Sequence, residues 1–435
     1  MNPMWFQAAG LAAVMAVAVF VAWRSFGPRG SILDATTPGH LFLVFFVAST
    51  AVGSLVLMLD GEGSAAGASL VAFGLVAFAV GATVASRVNC VPERLGPPTE
   101  TGRINRLALG ILTAIGFAAY VSIAIRVGVP FLSDDAQGVR AAYNGIVFDV
   151  FRWLVPPAAL MSVAYALARN DRRSWAVAGA ANGALLLLMF LTASRALPFE
   201  LAAAIILLGL WGGRRLARRT WLALAAIALI FFVGVQLLRV SKEGGFRDLP
   251  DVAAFVVGRT VDRVALIQAK ALEVVATDIP SRQPFYGGST YVRWLSTIRG
   301  EPPPEALGYW IYDQIFPGQP GGFATPGILG ELWANGGIPL VALGMTLFGA
   351  IVQWLGRLIG RFERDAADRV FAALLVVAVA RTYATSLNGF LLTVAVMTGW
   401  RIAVTLPGLP SWLPFGLGRG DRADLESARR SAGRQ

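Results

Sequence analysis

The residues of this chain best equipped for chemistry are a set of arginines and one glutamate. Arg239, Arg282, Arg293 and Arg299 lie between Arg239 and Gly336, the one long polar interruption in an otherwise apolar sequence. Arg140 sits in a shorter polar segment, Arg195 at a turn between two apolar runs, and Arg381 inside another run. A guanidinium is a planar fork of N–H donors that suits polyoxygen anions, phosphate above all. Several of them together would neutralise a diphosphate as it departs, an electrostatic form of catalysis. Glu331, in GILGELWANGG, is the first candidate to orient or deprotonate an attacking hydroxyl, with Glu243 and Asp313 behind it. Asn335 stands four residues on and shares its helix face. The predicted catalytic set is Glu331, Arg195, Arg239 and Arg293. The predicted diphosphate- and substrate-binding set is Arg140, Arg282, Arg299, Tyr291, Asn335 and Arg381.

These groups must be positioned by a membrane bundle. Hydrophobic residues make up 56% of the 435 residues and charged residues 14%, against about 25% charged in soluble domains. Several runs reach the roughly 20 apolar residues that cross a bilayer. Eleven spans are predicted, at about 4–23, 39–59, 66–86, 107–126, 148–168, 174–193, 196–213, 220–238, 324–355, 370–387 and 389–409. The first lacks a basic flank and a small-residue cleavage site, so it reads as a retained span. Arginines crowd the segments 24–38, 87–106, 169–173, 214–219 and 356–369 and the tail after 410, all on one side if the spans alternate. That side is the cytoplasm, which puts the amino terminus outside and the carboxyl terminus inside. The net charge of +11 is explained by this asymmetry and needs no nucleic acid partner. Cys90 is the single cysteine, so no intramolecular disulfide forms, and the single histidine, His40, reads as a helix-end residue on the cytoplasmic side.

The chain therefore divides into 1–238 with eight spans, an outer loop at 239–323, three spans over 324–409 and a basic tail at 410–435. Within the loop, 251–277 reads as an amphipathic helix, with Arg259, Asp262, Arg263, Lys270 and Glu273 on a solvated face. Tyr286, Tyr291, Trp294, Tyr309, Trp310 and Tyr312 suit either an interfacial aromatic belt or a surface that stacks on sugar rings. A charge inside a span costs about 3 kcal/mol or more unless paired or wetted. Glu331, Arg381, Arg195 and Glu200 thus imply either an outward-facing aqueous cavity or buried ion pairs such as Glu331 with Arg381. A lipid carrier's diphosphate would fit such a cavity while its tail stays in the bilayer. No nucleotide-binding glycine loop is present.

Four segments resemble the bacterial O-antigen polymerases, the oligosaccharide repeat-unit polymerases of the Wzy type. They are GVPFLSDDAQGVRAAYNG at 128–145, LTASRALP at 191–198, FYGGSTYVRWLSTIRGEPP at 285–303 and PGILGELWANGGIPLVALG at 326–344. The resemblance implies a GT-C-like glycosyltransferase in the bacterial inner membrane. It would act at the periplasmic face, moving a growing glycan from undecaprenyl diphosphate to an incoming lipid-linked repeat unit of an O-antigen or exopolysaccharide. It implies no metal, no nucleotide sugar and no other cofactor, and a flippase and a chain-length regulator as partners. The related O-antigen ligases use an outer-loop histidine, which this chain lacks. A transporter or flippase for lipid-linked sugars is the non-enzymatic alternative, although internal repeats, the usual companion of alternating access, are not visible.

Overall fold

In the computed structural model the described residues are 3–27, 37–88, 104–133, 139, 143, 146–192, 196–211, 234, 258, 266–291, 307–318, 323–359 and 365–405. Every regular element among them is helical. Backbone N–H and C=O groups find no water in hydrocarbon, so an apolar chain of this kind satisfies them within helices. In order these are α1 (Pro3–Ser25), α2 (Pro38–Asp60, with a π-turn at Val47–Ala51), α3 (Ala65–Arg87), α4 (Arg106–Val127), α5 (Ile146–Arg169), α6 (Arg172–Leu191) and α7 (Ala196–Trp211). They continue with α8 (Ile267–Asp278), α9 (Leu307–Ile315), α10 (Gly327–Ile359), α11 (Ala366–Arg381) and α12 (Leu387–Thr405). α1 to α6 and α10 are long and apolar enough to cross a membrane; α7 and α12 are shorter apolar helices. The expected span at 220–238 lies outside the described residues, apart from Gly234. Several starts carry a polar cap: Thr37, Ser64, Asn105, Asp171 and Asp365 each accept a bond from a first-turn amide.

Two apolar cores share α11 and α12, the latter with Phe390 and Met397 in the first and Trp400 and Val404 in the second. The first joins α1, α2, α3 and α10. The second joins α4, α5, α6 and α7. α11 serves both: Phe371, Leu375 and Val379, spaced four apart, face the first core, while Ala367, Val370, Ala373 and Val377 face the second. α3 and α10 approach closely because glycines line the seam. A Cβ at Gly81 would fall inside 3.0 Å of the Thr346 carbonyl oxygen, and one at Gly349 inside 3.0 Å of the Phe78 carbonyl oxygen.

α10 corrects the expected ninth span, which was read as one helix over 324–355. Gly336 and Gly337 leave helical geometry, and Gly337 takes φ +60°, which favours glycine. Leu332 packs on Gly344. Twelve residues of continuous helix would separate them by about 18 Å, so the chain turns back sharply at the two glycines. Residues 327–335 form a short helix; 338–359 run on for about 33 Å at 1.5 Å per residue, enough to span alone.

The expected tenth span, 370–387, is also corrected. α11 ends at Arg381 and Thr382 caps it, so Arg381 stands at a helix terminus and residues 382–386 form a turn. In the outer loop the helix expected over 251–277 is described over Ile267–Asp278, most of the remainder lying outside the described residues. Its Lys270 and Glu273 are not a free solvated face. Lys270 pairs with Glu62 at 3.0 Å, and Glu273 accepts the Ser64 amide at 2.7 Å. The buried side, Ala271, Val275 and Ile279, joins Leu307, Ile311 and Ala334 in a third small core, on which Tyr286, Trp310 and Tyr312 pack. Those three aromatics thus pack, partly buried, on a cap over α10.

The loops fall at two ends. At one, the turn at 61–64, α8, the segment 285–291, the short helix 327–335 and the turn 382–386 meet. At the other, Arg357 donates to the Ser86 and Val88 carbonyls, and the Asn105 amide bonds the Val404 carbonyl at 2.8 Å. His40 lies near that second end, buried between Trp23 and Phe26, with Nε2 3.1 Å from the Trp23 carbonyl oxygen and Nδ1 2.8 Å from Thr37 Oγ1. It ties α1 to the start of α2.

Candidate functional site

Glu331 is the centre of the first end. It is 4% exposed, on the short helix 327–335. Its Oε1 accepts the Thr290 hydroxyl at 3.2 Å, and its Oε2 accepts the Leu387 backbone N–H. Asn335 completes the clasp. Its Nδ2 donates to Thr290 Oγ1 and to the Glu331 carbonyl, both at 2.7 Å, and its Oδ1 accepts the Gly288 amide at 2.9 Å. The Tyr286 amide donates to the Ala334 carbonyl at 2.9 Å, which satisfies part of the short helix's free end. Gly287 and Gly288 have φ +58° and +90°, so the turn that brings the Gly288 amide inward favours glycine at both positions. Trp333 donates from its indole to the Ile279 carbonyl at 3.0 Å and anchors the same helix to the end of α8.

Tyr291 ends this segment. Its hydroxyl is buried with no hydrogen-bond partner among the described residues; the Asn335 side chain lies next to it but outside bonding geometry. Burial first, and then the neighbouring Glu331 charge, push its ionisation well above the ordinary phenol range. The phenol therefore stays protonated, a hydrogen-bond donor beside a carboxylate. A hydroxyl-bearing ligand is the kind of molecule such a pair can orient.

The second polar centre is an ion cluster. Glu200 Oε1 pairs with the Arg381 guanidinium, and Arg152 donates to both Glu200 oxygens at 3.2 and 3.3 Å. Asp149, one turn before Arg152 and in the first turn of α5, lies within electrostatic range of both Arg152 and Glu200. Two acids and two arginines thus balance. The helix ends assist two of them: Glu200 is in the second turn of α7, near its positive end, and Arg381 is at the negative end of α11. The Glu331–Arg381 pair, one of the two alternatives the sequence allows, does not form. The turn 382–386 places Arg381 against Glu200 and, six residues later, the Leu387 amide on Glu331, so the two centres are joined through one short segment.

Glu331, Asn335 and Tyr291 are thus gathered, with Arg381 one turn away in a different pairing. Arg282 is not gathered: its side chain is 76% exposed and bonds Asp278, four residues back, at 3.5 Å. Asp313 is exposed on α9. Arg140, Arg195, Arg239, Glu243, Arg293 and Arg299 lie outside the described residues. Sequence reasoning missed Arg152, Asp149 and Thr290. Arg152 and Asp149 lay within the predicted fifth span, where the cost of a charge was the available signal. Thr290 carried none. Among the described residues no group of three or more His, Cys, Asp or Glu side chains is arranged to hold a metal ion.

No protein-family model matches the chain, and no curated protein or solved structure matches it either.

Proposed function

We propose that this chain is a membrane glycosyltransferase that polymerises lipid-linked oligosaccharide repeat units, of the O-antigen polymerase type and GT-C-like. The observation that carries the reading is the joining of 285–291 to 327–335. Two segments that separately resemble that family are stitched together through Thr290, Asn335 and Glu331. In the proposed reaction an acceptor sugar hydroxyl attacks the anomeric carbon of the donor glycan. The bond to the diphosphate oxygen breaks, and the lipid diphosphate leaves with the electron pair and takes up the proton released by the acceptor hydroxyl. Arg140, Arg195, Arg239, Arg293 and Arg299 neutralise that leaving group in this reading. Tyr291 donates to the acceptor sugar. With both carboxylate oxygens already accepting bonds, Glu331 acts first as a positioning residue that holds 285–291 in place. Arg381 likewise positions, through Glu200.

Wild-type protein incubated with undecaprenyl-diphosphate-linked repeat units, without nucleotide, is expected to give a ladder of longer glycans. Glu331→Gln replaces one of the two acceptor oxygens by an N–H donor while keeping size, so the Thr290 hydroxyl and the Leu387 amide can no longer both donate to this side chain. It should cut the ladder by at least about a hundredfold, the scale of a lost active-site positioning contact, while the protein still elutes as a folded species. Unchanged substrate with the wild-type protein sinks the polymerase reading, and transfer of the unmodified lipid across a vesicle membrane would instead support a transporter.

The arginine asymmetry supports placing the Arg357 end in the cytoplasm and the Glu331 end in the periplasm. Cys90, between Arg87 and Arg94, is the only thiol in the chain. A membrane-impermeant maleimide should fail to label it in intact spheroplasts and label it once the membrane is opened. Labelling of intact spheroplasts would reverse the orientation.

A further inference from the structure

The second end of the bundle carries a site that the proposed reaction does not use. α4 and α5 pack antiparallel. Tyr120 meets Phe151 with ring centroids 5.0 Å apart, and a Cβ at Gly116 would touch Val155. In both pairs the residue numbers sum to 271, and the same register sets Arg106 opposite Tyr165, with Arg169 one turn further along α5. Consistent with that register, Tyr165 lies within electrostatic range of Arg106 and Arg169, and of Asp365 at the start of α11. Both guanidiniums are exposed, and among the described residues no acid forms an ion pair with either. Tyr165 is 38% exposed, and no described residue bonds its hydroxyl. From the same helix end an apolar stripe runs into the membrane on the side of α4 that carries Arg106: a Cβ at Gly110 would meet nothing within 4 Å, and Phe117 and Val121, four apart, are 38% and 49% exposed.

We infer that the α4–α5 edge binds an anionic phospholipid. Its phosphate sits between Arg106 and Arg169 and accepts the Tyr165 hydroxyl, and one acyl chain lies along Gly110, Phe117 and Val121. Positive charge alone would attract any anion. What selects a lipid is the continuity of two forked donors, a phenol at interface depth and an apolar stripe, exposed among the described residues, on the side of α4 that carries Arg106. Asp365 and, beside Arg169, Asp171 offset the local positive charge, but neither forms an ion pair with Arg106 or Arg169, so both guanidinium forks stay open to a phosphate.

The test uses the purified full-length chain in neutral detergent, with bound lipid counted by native mass spectrometry over a titration. Dioleoyl phosphatidylglycerol is expected to bind saturably. Phosphatidylcholine and inorganic phosphate at the same concentrations should neither bind comparably nor compete. Arg106→Ala with Arg169→Ala should weaken phosphatidylglycerol binding about thirtyfold, the scale of two basic residues at an anionic surface. Arg172→Ala with Arg173→Ala, which removes equal charge from the start of α6, should weaken it less than about threefold. Tyr165→Phe keeps charge and bulk, removes one donor and should weaken it about fivefold; it serves as the deciding variant if the double arginine variant does not fold. Equal losses in the two arginine pairs, an unchanged Tyr165→Phe, or displacement by phosphate would overturn the assignment.

Discussion

Valine at Gly81 or Gly349 is expected to leave little or no folded protein in the membrane. The reason is the glycine-lined seam between α3 and α10. At Gly81 an added Cβ would lie inside van der Waals contact of the Thr346 carbonyl oxygen, and at Gly349 of the Phe78 carbonyl oxygen and the Ala82 amide nitrogen. These neighbours are backbone atoms of helices, so they cannot swing aside as the end of a leucine can. Relief would require the two helices to separate. That would also pull Thr346 Oγ1 from the Ala77 carbonyl, a 3.2 Å bond, and Arg357 from the end of α3. Overpacking of a dense core commonly costs about 1–3 kcal/mol. A backbone collision on the seam that positions the short helix 327–335 belongs at or above the top of that range. Gly10 and Gly179 are the controls: each is helical, and an added Cβ would meet nothing within 4 Å. Gly10→Val and Gly179→Val should therefore elute and melt like the wild type. The readout is fluorescence-detected size-exclusion chromatography with a thermal ramp in detergent. A Gly81→Val protein that elutes as a sharp species with an unshifted midpoint would show that the seam can open without loss of the fold.

How much of this was legible beforehand follows from which forces act locally. The seven helices long and apolar enough to cross a membrane were readable because hydrocarbon imposes length, apolarity and helix at once. Arginine placement then ordered the loops, and the meeting of the 61–64 turn with α8 agrees with that order. The i, i+4 relation of Glu331 and Asn335 was likewise a local fact, and the Asn335 amide does reach the Glu331 carbonyl. The break at Gly336–Gly337 was harder. Hydropathy runs unbroken through it, and a Gly-Gly followed by Ile-Pro is compatible with a kinked span as well as with a reversal. What decides the matter is the Leu332–Gly344 contact and the Phe285 ring at Gly337, and both depend on tertiary packing. Ion pairing was harder still. Glu331 and Arg381 had matching depth and opposite charge, which made them a natural pair on paper. Arg381 instead meets Glu200 because α11 lies between the two cores and its last turn faces α7. Which helices are neighbours was the missing information, and a single sequence without repeats does not carry it.

The same adjacency makes Glu200 the residue whose loss should weigh most in the second core. Glu200→Gln leaves Arg152 and Arg381 facing one another with Asp149 the one acid nearby among the described residues, in a site where the three paired side chains are 26%, 18% and 25% exposed. A partly dehydrated cation that loses its counter-ion keeps its desolvation cost and loses the attraction, and breaking a buried pair in this way costs about 3–5 kcal/mol. Arg381→Met is expected to cost less, about 1–2 kcal/mol, because Glu200 keeps both bonds from Arg152 while the methionine fills the stem's space. The double variant is the informative one. With Glu200 neutral and Arg381 apolar, the remaining Asp149 and Arg152 balance, so the combined loss should fall below the sum of the singles by at least about 1 kcal/mol, as expected for residues in one network. Thermal midpoints of the three variants in one detergent measure the cycle. Additive losses would mean that the two guanidiniums do not share Glu200. An unshifted Glu200→Gln would mean that water reaches the cluster freely enough to replace the carboxylate, and the first end of the bundle would then be an open aqueous mouth down to the level of α7's second turn.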